Sequence, residues 1–541
     1  MNPTKILANA ARVARFAGGL RAYLRDTVGA DEARRTVRAR LAARPQMLLE
    51  AARTFVYGNP RSPYLRLLRA AGCEYGDLEA LIGNEGVDGA LRTLAARGVY
   101  VTVDELKARC AIRRGSTVFE VGEGDFANPA RPGHIPARSG ASRSPGTPLY
   151  YDFQNLADNW AVHQALRLQA WGIAGLPTAI WLPIMPGGGP VSLLSHAKTG
   201  QVPERWFSPV ERGGFRPSAA HRFGTFAIVE GGRLFGVHLP RPEYVGYDEA
   251  GRVAAWMRDA LARRGGCTLL TYASAGVRAC QAAAREGWDL SGAVVQVTGE
   301  PLTGAKRAEI ETSGAAARPI YAFMEAGTVA VGCLEPASVD DCHLFEDSFA
   351  VIPAARDVPR LGISVDAYLF TTLLASSPIV LFNAENGDHG LVETRACGCP
   401  LDAAGLATHL RCIRSFEKVT GEGMSFLGAE VMRIVEEVLP ARFGGDSTRY
   451  QFVEEEDAAG LTRMTLRVSP ALGAVDEAAV LACVRDALAG GGAGRRMMTE
   501  VWEKAGTIRV ARAEPLPTQR GKILPLHIAA GRHGSSRDPR A

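Results

Sequence analysis

The chain has 541 residues, of which 47% are hydrophobic and 22% are charged, and its formal net charge is +5. This composition is that of a globular protein of two to four domains and excludes disorder as the main state. The small net charge gives no indication of binding to nucleic acid or to an anionic membrane, and no apolar run reaches the ~20 residues of a membrane span.

The N-terminal sequence and the number of cysteines indicate the cellular compartment of the protein. No apolar segment followed by a small-residue cleavage site stands at the N-terminus, so we predict no secretory signal. Ten cysteines in a chain of this length are more typical of reduced thiols or metal ligands than of a disulfide framework. We therefore expect a cytoplasmic protein.

Lysine is scarce, because only seven of the 62 basic residues are lysines. A GC-rich genome that encodes most cations as arginine accounts for this bias. A lysine that persists against it can mark a position that needs a compact ammonium, since a guanidinium is larger and planar.

The hydrophobic pattern of the first 417 residues predicts helices followed by an alternating region. Residues 4–54 are predicted as amphipathic helix, 62–112 as further short helices, and 155–171, 251–264 and 275–286 as later helices. Alternation of helices with buried strands indicates an α/β layered core. The predicted strands are Thr178–Leu182, Thr225–Glu230, Cys267–Ala273, Ala293–Gly299, Pro319–Phe323, Ser348–Pro353 and Ile379–Asn383.

The pattern changes after about residue 417. Strands are predicted at 450–455 and 462–468, a helix at 475–489 and a third strand at 507–511, which together make a small α+β unit. We therefore divide the chain into an N-terminal helical segment of the large domain, the α/β core, and a small C-terminal domain. Their predicted ranges are 1–115, 116–417 and 418–541.

Three segments have residues suited to a phosphorylated ligand. The Ser- and Gly-rich stretch 138–148 offers backbone and hydroxyl donors to phosphate, although a flexible surface loop has the same composition. Gly299-Glu300-Pro301-Leu302 directly follows a predicted strand, and Tyr321 and Glu325 lie at the end of the next one, where ligands bind in open α/β sheets. An aromatic ring there can stack on a base, and a carboxylate can hold Mg²⁺. Asp388 can bind two vicinal hydroxyls. For Gly299–Leu302 with Tyr321 and Glu325, the alternative is a turn and a core aromatic. For Asp388, the alternative is an ordinary Asn-Gly-Asp turn.

Two further features involve cysteine and lysine. Cys333, His343, Cys397 and Cys399 have the ligand types of a tetrahedral Zn²⁺ site, with Cys342 as a competing ligand and buried free cysteines as the alternative. Lys522 follows Gly521 in a proline-flanked segment, which predicts a shaped loop; the alternative is a solvated tail lysine.

The order of these motifs resembles that of the adenylate-forming superfamily of acyl ligases. The shared order is a Ser/Gly loop, Gly-Glu-Pro-Leu, Tyr-x-x-x-Glu, Gly-Asp, an Arg followed three residues later by an acid, and a C-terminal Gly-Lys. The branch it is most similar to is the phenylacetate–CoA ligase family, with the related coenzyme F390 synthetases and the acyl-protein synthetases of luminous bacteria. Asn59-Pro60-Arg61-Ser62-Pro63-Tyr64 and then Ala71-Gly72 resemble the beginning of that branch. The resemblance covers roughly residues 55–527.

The resemblance implies a fold and roles for individual residues. The fold is α/β, with a large layered N-terminal adenylate-forming domain and a small, mobile α+β C-terminal domain. Tyr150, Tyr151 and Gly188 would line the acyl pocket, and the branch's Cys, His, Cys-x-Cys set would bind structural zinc. The other implied roles are ATP phosphate binding by Ser139, Ser142, Ser144 and Thr147, the adenine site at Gly299 and Glu300, base stacking by Tyr321, Mg²⁺ binding by Glu325, ribose binding by Asp388, a hinge arginine and acid at Arg414 and Glu417, and the catalytic lysine at Lys522.

The chain also departs from the superfamily pattern. The phosphate loop lacks the usual Ser-Gly-Thr-Thr-Gly and its lysine, the ribose motif has Asn before Gly-Asp in place of Thr, and the hinge has Glu in place of Asp.

The resemblance implies an ATP-dependent acid–thiol ligase. A small carboxylic acid would be converted to its acyl-adenylate and then transferred to coenzyme A, with ATP and Mg²⁺ as further requirements. Transfer to a protein thiol or an amine is one alternative, with an acyl-accepting protein as partner. A non-catalytic binding protein on the same fold is the other.

Overall fold

The computed structural model describes residues 3–122, 124–131, 133–138, 148–185, 187–209, 219–358, 363–416, 418–421, 424–457, 461–489, 493–516 and 525–528. The helices are α1 (Pro3–Arg25), α2 (Ala30–Ala42), α3 (Arg44–Ala51), α4 (Pro63–Ala70), α5 (Tyr75–Ala96), α6 (Val103–Leu106), α7 (Phe153–Asn155), α8 (Val162–Ala170), α9 (Gly189–Lys198), α10 (Ala219–Leu234), α11 (Ala250–Arg264), α12 (Ala273–Arg285), α13 (Gly304–Thr312), α14 (Gly428–Arg433), α15 (Leu439–Phe443), α16 (Glu477–Ala489) and α17 (Ala493–Ala505). Short π-helical turns at Ala52–Tyr57, Leu156–Ala161 and Ile434–Val438 extend α3, join α7 to α8, and join α14 to α15.

The strands form one large sheet, one small sheet and three two-stranded ladders. They are β1 (Ile112–Arg114), β2 (Thr117–Phe119), β3 (Ile135–Arg138), β4 (Pro148–Tyr151), β5 (Thr178–Trp181), β6 (Arg205–Ser208), β7 (Pro242–Tyr244), β8 (Cys267–Tyr272), β9 (Ala293–Thr298), β10 (Ala316–Phe323), β11 (Gly327–Gly332), β12 (Cys342–Leu344), β13 (Phe349–Val358), β14 (Ile363–Thr372), β15 (Ala384–Thr394), β16 (Thr408–Ser415), β17 (Lys418–Gly421), β18 (Met424–Leu427), β19 (Tyr450–Glu456), β20 (Thr462–Val468), β21 (Ile508–Arg512) and β22 (Leu526–Ile528).

The large sheet is half parallel and half antiparallel. Among the described residues its order is β13-β14-β15-β16-β12-β11-β10-β9-β8-β5-β6-β7. The strands from β7 to β10 pair in parallel, and every pair from β10 to β13 is antiparallel. All six residues of β8 are buried, as expected for a parallel strand covered by helices on both faces. The predicted α/β layered class is confirmed.

Two predicted strands are wrong. Thr225–Glu230 lies within α10, because the buried Thr225, Ile228 and Val229 have the i, i+3, i+4 spacing of one helix face, although Thr, Ile and Val favour strands locally. Residues 379–383 form no ladder beyond a single bridge from Ile379 to Ala127. There Asn383 adopts a positive φ of 50°, and its amide donates to two backbone carbonyls of the N-terminal helical segment.

The N-terminal segment is helical, as predicted for residues 4–54. The structure divides this stretch among α1, α2, α3 and the π-helical turn that follows α3. The first break follows Arg25 and precedes Gly29, the N-cap of α2, and the second falls at Ala43, which precedes Pro45 at the first turn of α3.

The C-terminal residues form a second hydrophobic core. Strands β21-β20-β19-β22 form a four-stranded sheet, and α14 to α17 pack around it. Val431, Tyr450, Phe452, Val484 and Trp502 are among the buried residues of this core, which is separate from the core of the large sheet. No helix in the described ranges is long and apolar enough to cross a membrane.

Candidate active site

Among the described residues, the predicted nucleotide contacts Gly299, Glu300, Tyr321 and Asp388 lie on the strands of the large sheet or just after them. β8 and β9 end side by side at Tyr272 and Thr298, and β9 is followed by Gly299, whose φ of 74° turns the chain sharply. β10 runs parallel to β9 and continues to Tyr321. The carboxyl ends of parallel strands are where open α/β sheets bind ligands.

Tyr321 and Asp388 are joined by a direct hydrogen bond. The Tyr321 hydroxyl donates to Asp388 Oδ2 at 2.8 Å, and Asn386 Nδ2 donates to the same hydroxyl at 2.7 Å and to the same carboxylate oxygen at 2.9 Å. Burial, and then the negative charge of Asp388, holds the pKa of Tyr321 well above its ordinary value. The tyrosine therefore stays a neutral donor, which fixes the position of the carboxylate.

The Gly-Asp motif lies inside a strand, although it was expected after one. Asn386, Gly387 and Asp388 belong to β15, where Gly387 has a φ of 90° and the ladder to β16 shifts register just beyond Asp388. The motif therefore behaves as a bulge, which redirects a side chain without ending the strand. Asn386 was not predicted as a site residue, and only its place before Gly-Asp could have drawn attention to it.

Glu300 presents its backbone, and not its carboxylate, to this edge. Its side chain is fully buried and accepts hydrogen bonds from Ser274 N at 3.2 Å, from the Ser274 hydroxyl, and from Lys306 Nζ at 3.2 Å. The predicted adenine-site pair Gly299–Glu300 is thus a backbone wall with a carboxylate anchored behind it. Sequence reasoning did not single out Ser274 or Lys306.

Glu325 lies in the tight turn between β10 and β11, and the flanking residues fix that turn. The Tyr151 hydroxyl donates to the Met324 carbonyl at 3.3 Å, and Asn159 Nδ2 donates to the Ala326 carbonyl at 3.1 Å. A Cβ on Gly327 would lie 2.5 Å from Trp160 Nε1, so only glycine fits there. Burial, together with the charge of Glu325, raises the pKa of Tyr151.

The predicted acyl-pocket residues differ in their exposure. Tyr151 is buried, whereas Tyr150, the preceding residue of β4, is half exposed. Gly188 is the N-cap of α9, and α9 packs on the π-helical turn 156–161, which contains Trp160. Tyr151 packs edge-on against Trp160 of the same turn, with ring centroids 5.7 Å apart.

Arg414 is held by an aspartate that sequence reasoning missed. Its Nη1 donates to Asp340 Oδ2 at 3.0 Å, and Asp340 also accepts the backbone N–H groups of Cys412 and Ile413. Two residues further on, Phe416 N donates to the Gly387 carbonyl at 3.0 Å, which ties the end of β16 to the Gly-Asp bulge.

Several predicted site residues lie outside the described residues. They are Ser139, Ser142, Ser144 and Thr147 of the phosphate loop, the hinge acid Glu417, and Lys522.

The four predicted metal ligands come together from three separate segments. One ligand atom from each of Cys333, His343, Cys397 and Cys399 lies within 4.8 Å of the others. The separations are 3.5 Å from Cys333 Sγ to Cys397 Sγ, 3.5 Å from His343 Nε2 to Cys397 Sγ, and 3.2 Å from His343 Nε2 to Cys399 Sγ. A tetrahedral ion with Zn–S bonds of ≈ 2.3 Å spaces its ligand atoms about 3.5–3.8 Å apart.

The orientation of His343 also fits a metal ligand. Its Nδ1 lies 2.7 Å from the Leu406 carbonyl, so Nδ1 carries the proton and the Nε2 lone pair points at the sulfurs. The hydrogen bond from Cys333 lowers the pKa of Cys399, and the same contact raises the pKa of Cys333. Cys399, whose Sγ lies 3.2 Å from His343 Nε2, is therefore more disposed to lose its proton than Cys333.

A second layer surrounds this cluster. Asp341 Oδ1 lies 2.7 Å from His409 Nδ1, and Asp341 Oδ2 accepts Arg395 Nη2 at 2.5 Å. Cys333, Asp341 and His409 form another group with metal-ligand atoms, but the Arg395 guanidinium already occupies the aspartate. The His409 ring packs against that of His343, with centroids 4.1 Å apart, so these residues support the cysteine cluster from one side.

Comparisons with known proteins bear on the fold. No protein-family model and no curated protein sequence matches the chain. A crystal structure of 2-hydroxyisobutyryl-CoA ligase with 2-HIB-AMP and CoA aligns with a TM-score of 0.50 at 15% identity, covering 93% of this chain and 91% of that one. A variant of an amide bond synthetase from Marinactinospora thermotolerans aligns with a TM-score of 0.39 at 14% identity, covering 94% and 97% of the two chains. The first alignment shows that this chain has the fold of an AMP-forming ligase.

Proposed function

We propose that the protein is an ATP-dependent ligase that converts a small carboxylic acid into its acyl-adenylate and transfers the acyl group to a thiol, by default that of coenzyme A. The observation that carries this proposal is the Tyr321–Asp388 hydrogen bond beside the Gly299–Glu300 wall, at the ligand-binding edge of an AMP-forming ligase fold. We further propose that the chain belongs to the phenylacetate–CoA ligase-like branch.

In this proposal the three nucleotide contacts are made by three different groups. The Gly299–Glu300 backbone forms one wall of the adenine pocket, and the partly buried Tyr321 ring lies against the base. The Asp388 carboxylate, held in place by Tyr321 and Asn386, accepts hydrogen bonds from the two ribose hydroxyls. Such charge-assisted hydrogen bonds are stronger than neutral ones, so Asp388 contributes most to ATP affinity.

The phosphates of ATP would be bound by acidic, basic and hydroxyl groups. Glu325, in its fixed turn, would hold Mg²⁺, which draws charge from the phosphates. The hydroxyls of Ser139, Ser142, Ser144 and Thr147 would bind the phosphate oxygens. Lys522 would stabilise the charge that develops on the α-phosphate as the carboxylate attacks and pyrophosphate departs.

We propose that the chain divides near residue 418 and that the small domain rotates between the two half-reactions. The second hydrophobic core supports this division, because a unit with its own core can move as a rigid body. Arg414 lies at the end of β16, just before the division, and its contact with Asp340 would set the starting position of the hinge.

We also propose that Cys333, His343, Cys397 and Cys399 hold one structural Zn²⁺. Four protein ligands leave no open position for a catalytic water, so the ion would stabilise the fold without taking part in chemistry. Its ligands come from the segment after β11, from β12, and from the β15–β16 connection. A metal there would therefore fix the Tyr321 and Asp388 sides of the site relative to each other.

The proposed function is tested by pyrophosphate release over a panel of aliphatic and aromatic carboxylic acids. Reactions with no acid and with the Lys522→Ala variant are the controls. Adding coenzyme A, a thiol-bearing carrier protein or a simple amine then identifies the acceptor. Acid-dependent release supports a ligase, whereas ATP binding without release for any acid favours a non-catalytic binding protein on this fold.

A further inference from the structure

Lys306 is a buried lysine at a position that its own helix disfavours. It lies in the first turn of α13, where the positive end of the helix dipole repels a cation. Its side chain is 1% exposed, and it is one of only seven lysines in the chain. Burying an ammonium is costly unless it is paired, so tertiary contacts must account for this residue.

Those contacts join the two cores of the protein. Lys306 Nζ donates to Glu300 Oε2 at 3.2 Å and to Thr462 Oγ1 at 3.0 Å. Glu300 forms the turn after β9 at the candidate nucleotide site, whereas Thr462 is the first residue of β20 in the small sheet. One ammonium therefore connects the predicted adenine wall to the small domain.

The surroundings of Lys306 make this contact the centre of an interface. Leu461, Val501 and Ala505 belong to the C-terminal unit by sequence, yet they are buried against the core of the large domain. Arg278 of α12 donates to the Ala505 carbonyl at 2.9 Å, at the C-terminal end of α17. Lys504 Nζ, at the partly exposed rim, donates to the Tyr244 hydroxyl at 2.9 Å.

We propose that Lys306 is a positioning residue that clasps the small domain onto the nucleotide-binding edge and couples docking of that domain to occupancy of the Gly299–Glu300 wall. The coupling to a nucleotide rests on the proposed function, but the clasp itself does not.

The physical basis of the clasp lies in the two hydrogen-bond partners of Lys306. When the small domain is docked, Glu300 compensates the ammonium charge and Thr462 accepts a further hydrogen bond from it. When the small domain leaves, Lys306 loses that acceptor and its pocket opens to water. A ligand that presses on the Gly299–Glu300 backbone shifts the carboxylate to which Lys306 is bound, and so alters the free energy of docking.

The test is the distance between the two domains, measured by pulsed electron spin resonance. Spin labels on unnatural amino acids at the exposed positions Glu79 of α5 and Glu477 of α16 leave the ten cysteines untouched. The variants are Lys306→Met, which keeps the length of the side chain without its charge, and Thr462→Val, which keeps its shape without the acceptor. Thr465→Val, on the same strand as Thr462, is the matched control, because the Thr465 hydroxyl donates to Glu455 within the small sheet.

Without nucleotide, we expect one docked distance in the parent protein and in Thr465→Val. Both Lys306→Met and Thr462→Val should lower the ratio of docked to undocked molecules by about tenfold or more, since a hydrogen bond to a charged group is lost. The thermal midpoint of the large domain should stay unchanged in Thr462→Val, which shows that the fold is intact. A docked distance distribution in both variants identical to that of the parent would overturn the clasp.

A non-hydrolysable ATP analogue tests the coupling. It should change the docked fraction of the parent protein and of Thr465→Val, and leave that of Lys306→Met unchanged. An equal response in Lys306→Met would overturn the coupling. Failure of the analogue to bind at all, measured by calorimetry on the same sample, would count against the proposed function, while the nucleotide-free distances would still decide the clasp.

Discussion

The Tyr321 hydroxyl and the Asp388 carboxylate lie 2.8 Å apart, although three strands separate β10 from β15 in the order of the large sheet. The sheet must therefore curl strongly to bring the two residues together. The arrangement couples the position of one proposed nucleotide contact to that of the other.

This relationship leads to the first prediction. Asp388→Ala should raise the KM for ATP by about one to two orders of magnitude, because hydrogen bonds to a charged carboxylate contribute ~1.5–3 kcal/mol. Tyr321→Phe keeps the ring and removes only the hydroxyl, so it should raise the KM several-fold at most. Steady-state pyrophosphate release measures both, and an ATP titration of Asp388→Ala identical to that of the parent would remove the ribose assignment.

The second prediction concerns the metal. Protein purified without chelator should contain about one zinc per chain by elemental analysis, and Cys399→Ser should contain little. Removal of zinc should lower the melting temperature before it lowers activity, because the four ligands come from segments far apart in sequence. Cys110→Ser, which changes an exposed cysteine, is the control and should keep its zinc. If removal of the metal leaves the melting temperature unchanged, the four residues are ordinary packing residues and not a structural zinc site.

The third prediction separates the half-reactions. Lys522→Ala should slow acyl-adenylate formation by about 10²–10³-fold, as expected for loss of one group that stabilises the transition state. Thioester formation from synthetic acyl-adenylate should stay largely intact. Lys522→Arg should also fail in the first step, since a guanidinium differs in size and shape from an ammonium. Equal losses in both half-reactions, in a folded variant, would contradict this division of roles.

The fourth prediction is a dependence of stability on pH. Burial raises the pKa of Glu454, on β19, to about 7, although the nearby Lys306 and Arg414 oppose that shift. The ordinary pKa of a glutamate is near 4.5. Between that pH and about pH 7, Glu454 therefore keeps its proton in the folded protein and loses it in the unfolded chain. The contribution of Glu454 to stability is complete below that window and is lost as the pH rises through it.

A matched pair of melting curves tests this prediction. Glu454→Gln should melt a few degrees above the parent at pH 8, and at nearly the same temperature at pH 4.5. A constant difference between the two proteins from pH 4.5 to pH 8 would show that Glu454 does not titrate in this window.

Much of the site could be predicted because its signals are local. Short motifs drew attention to Gly299, Tyr321 and Asp388. The ligand types, the Cys-x-Cys spacing and the family resemblance selected the four residues of the metal cluster. The α/β class followed from the alternation of buried strands with helices. The error at Thr225–Glu230 arose because β-branched residues outweighed a helical spacing of buried positions.

The remainder depends on contacts between distant segments, which one sequence does not display. Lys306 is 156 residues from Thr462, and Asp340 is 74 residues from Arg414. Neither Lys306 nor Asp340 belongs to a motif that the sequence analysis singled out. Only the folded arrangement shows that Lys306 contacts the C-terminal sheet and that Asp340 holds the predicted hinge arginine.

The most direct test of the proposed reaction is the fate of a carboxylate oxygen. If the acid attacks the α-phosphate and a thiol then displaces AMP from the acyl carbon, one oxygen of the acid remains on AMP. With an acid that supports turnover and carries ¹⁸O in both carboxylate positions, mass spectrometry should find one ¹⁸O per AMP released. AMP without label, or ADP as the nucleotide product, would contradict carboxylate adenylation.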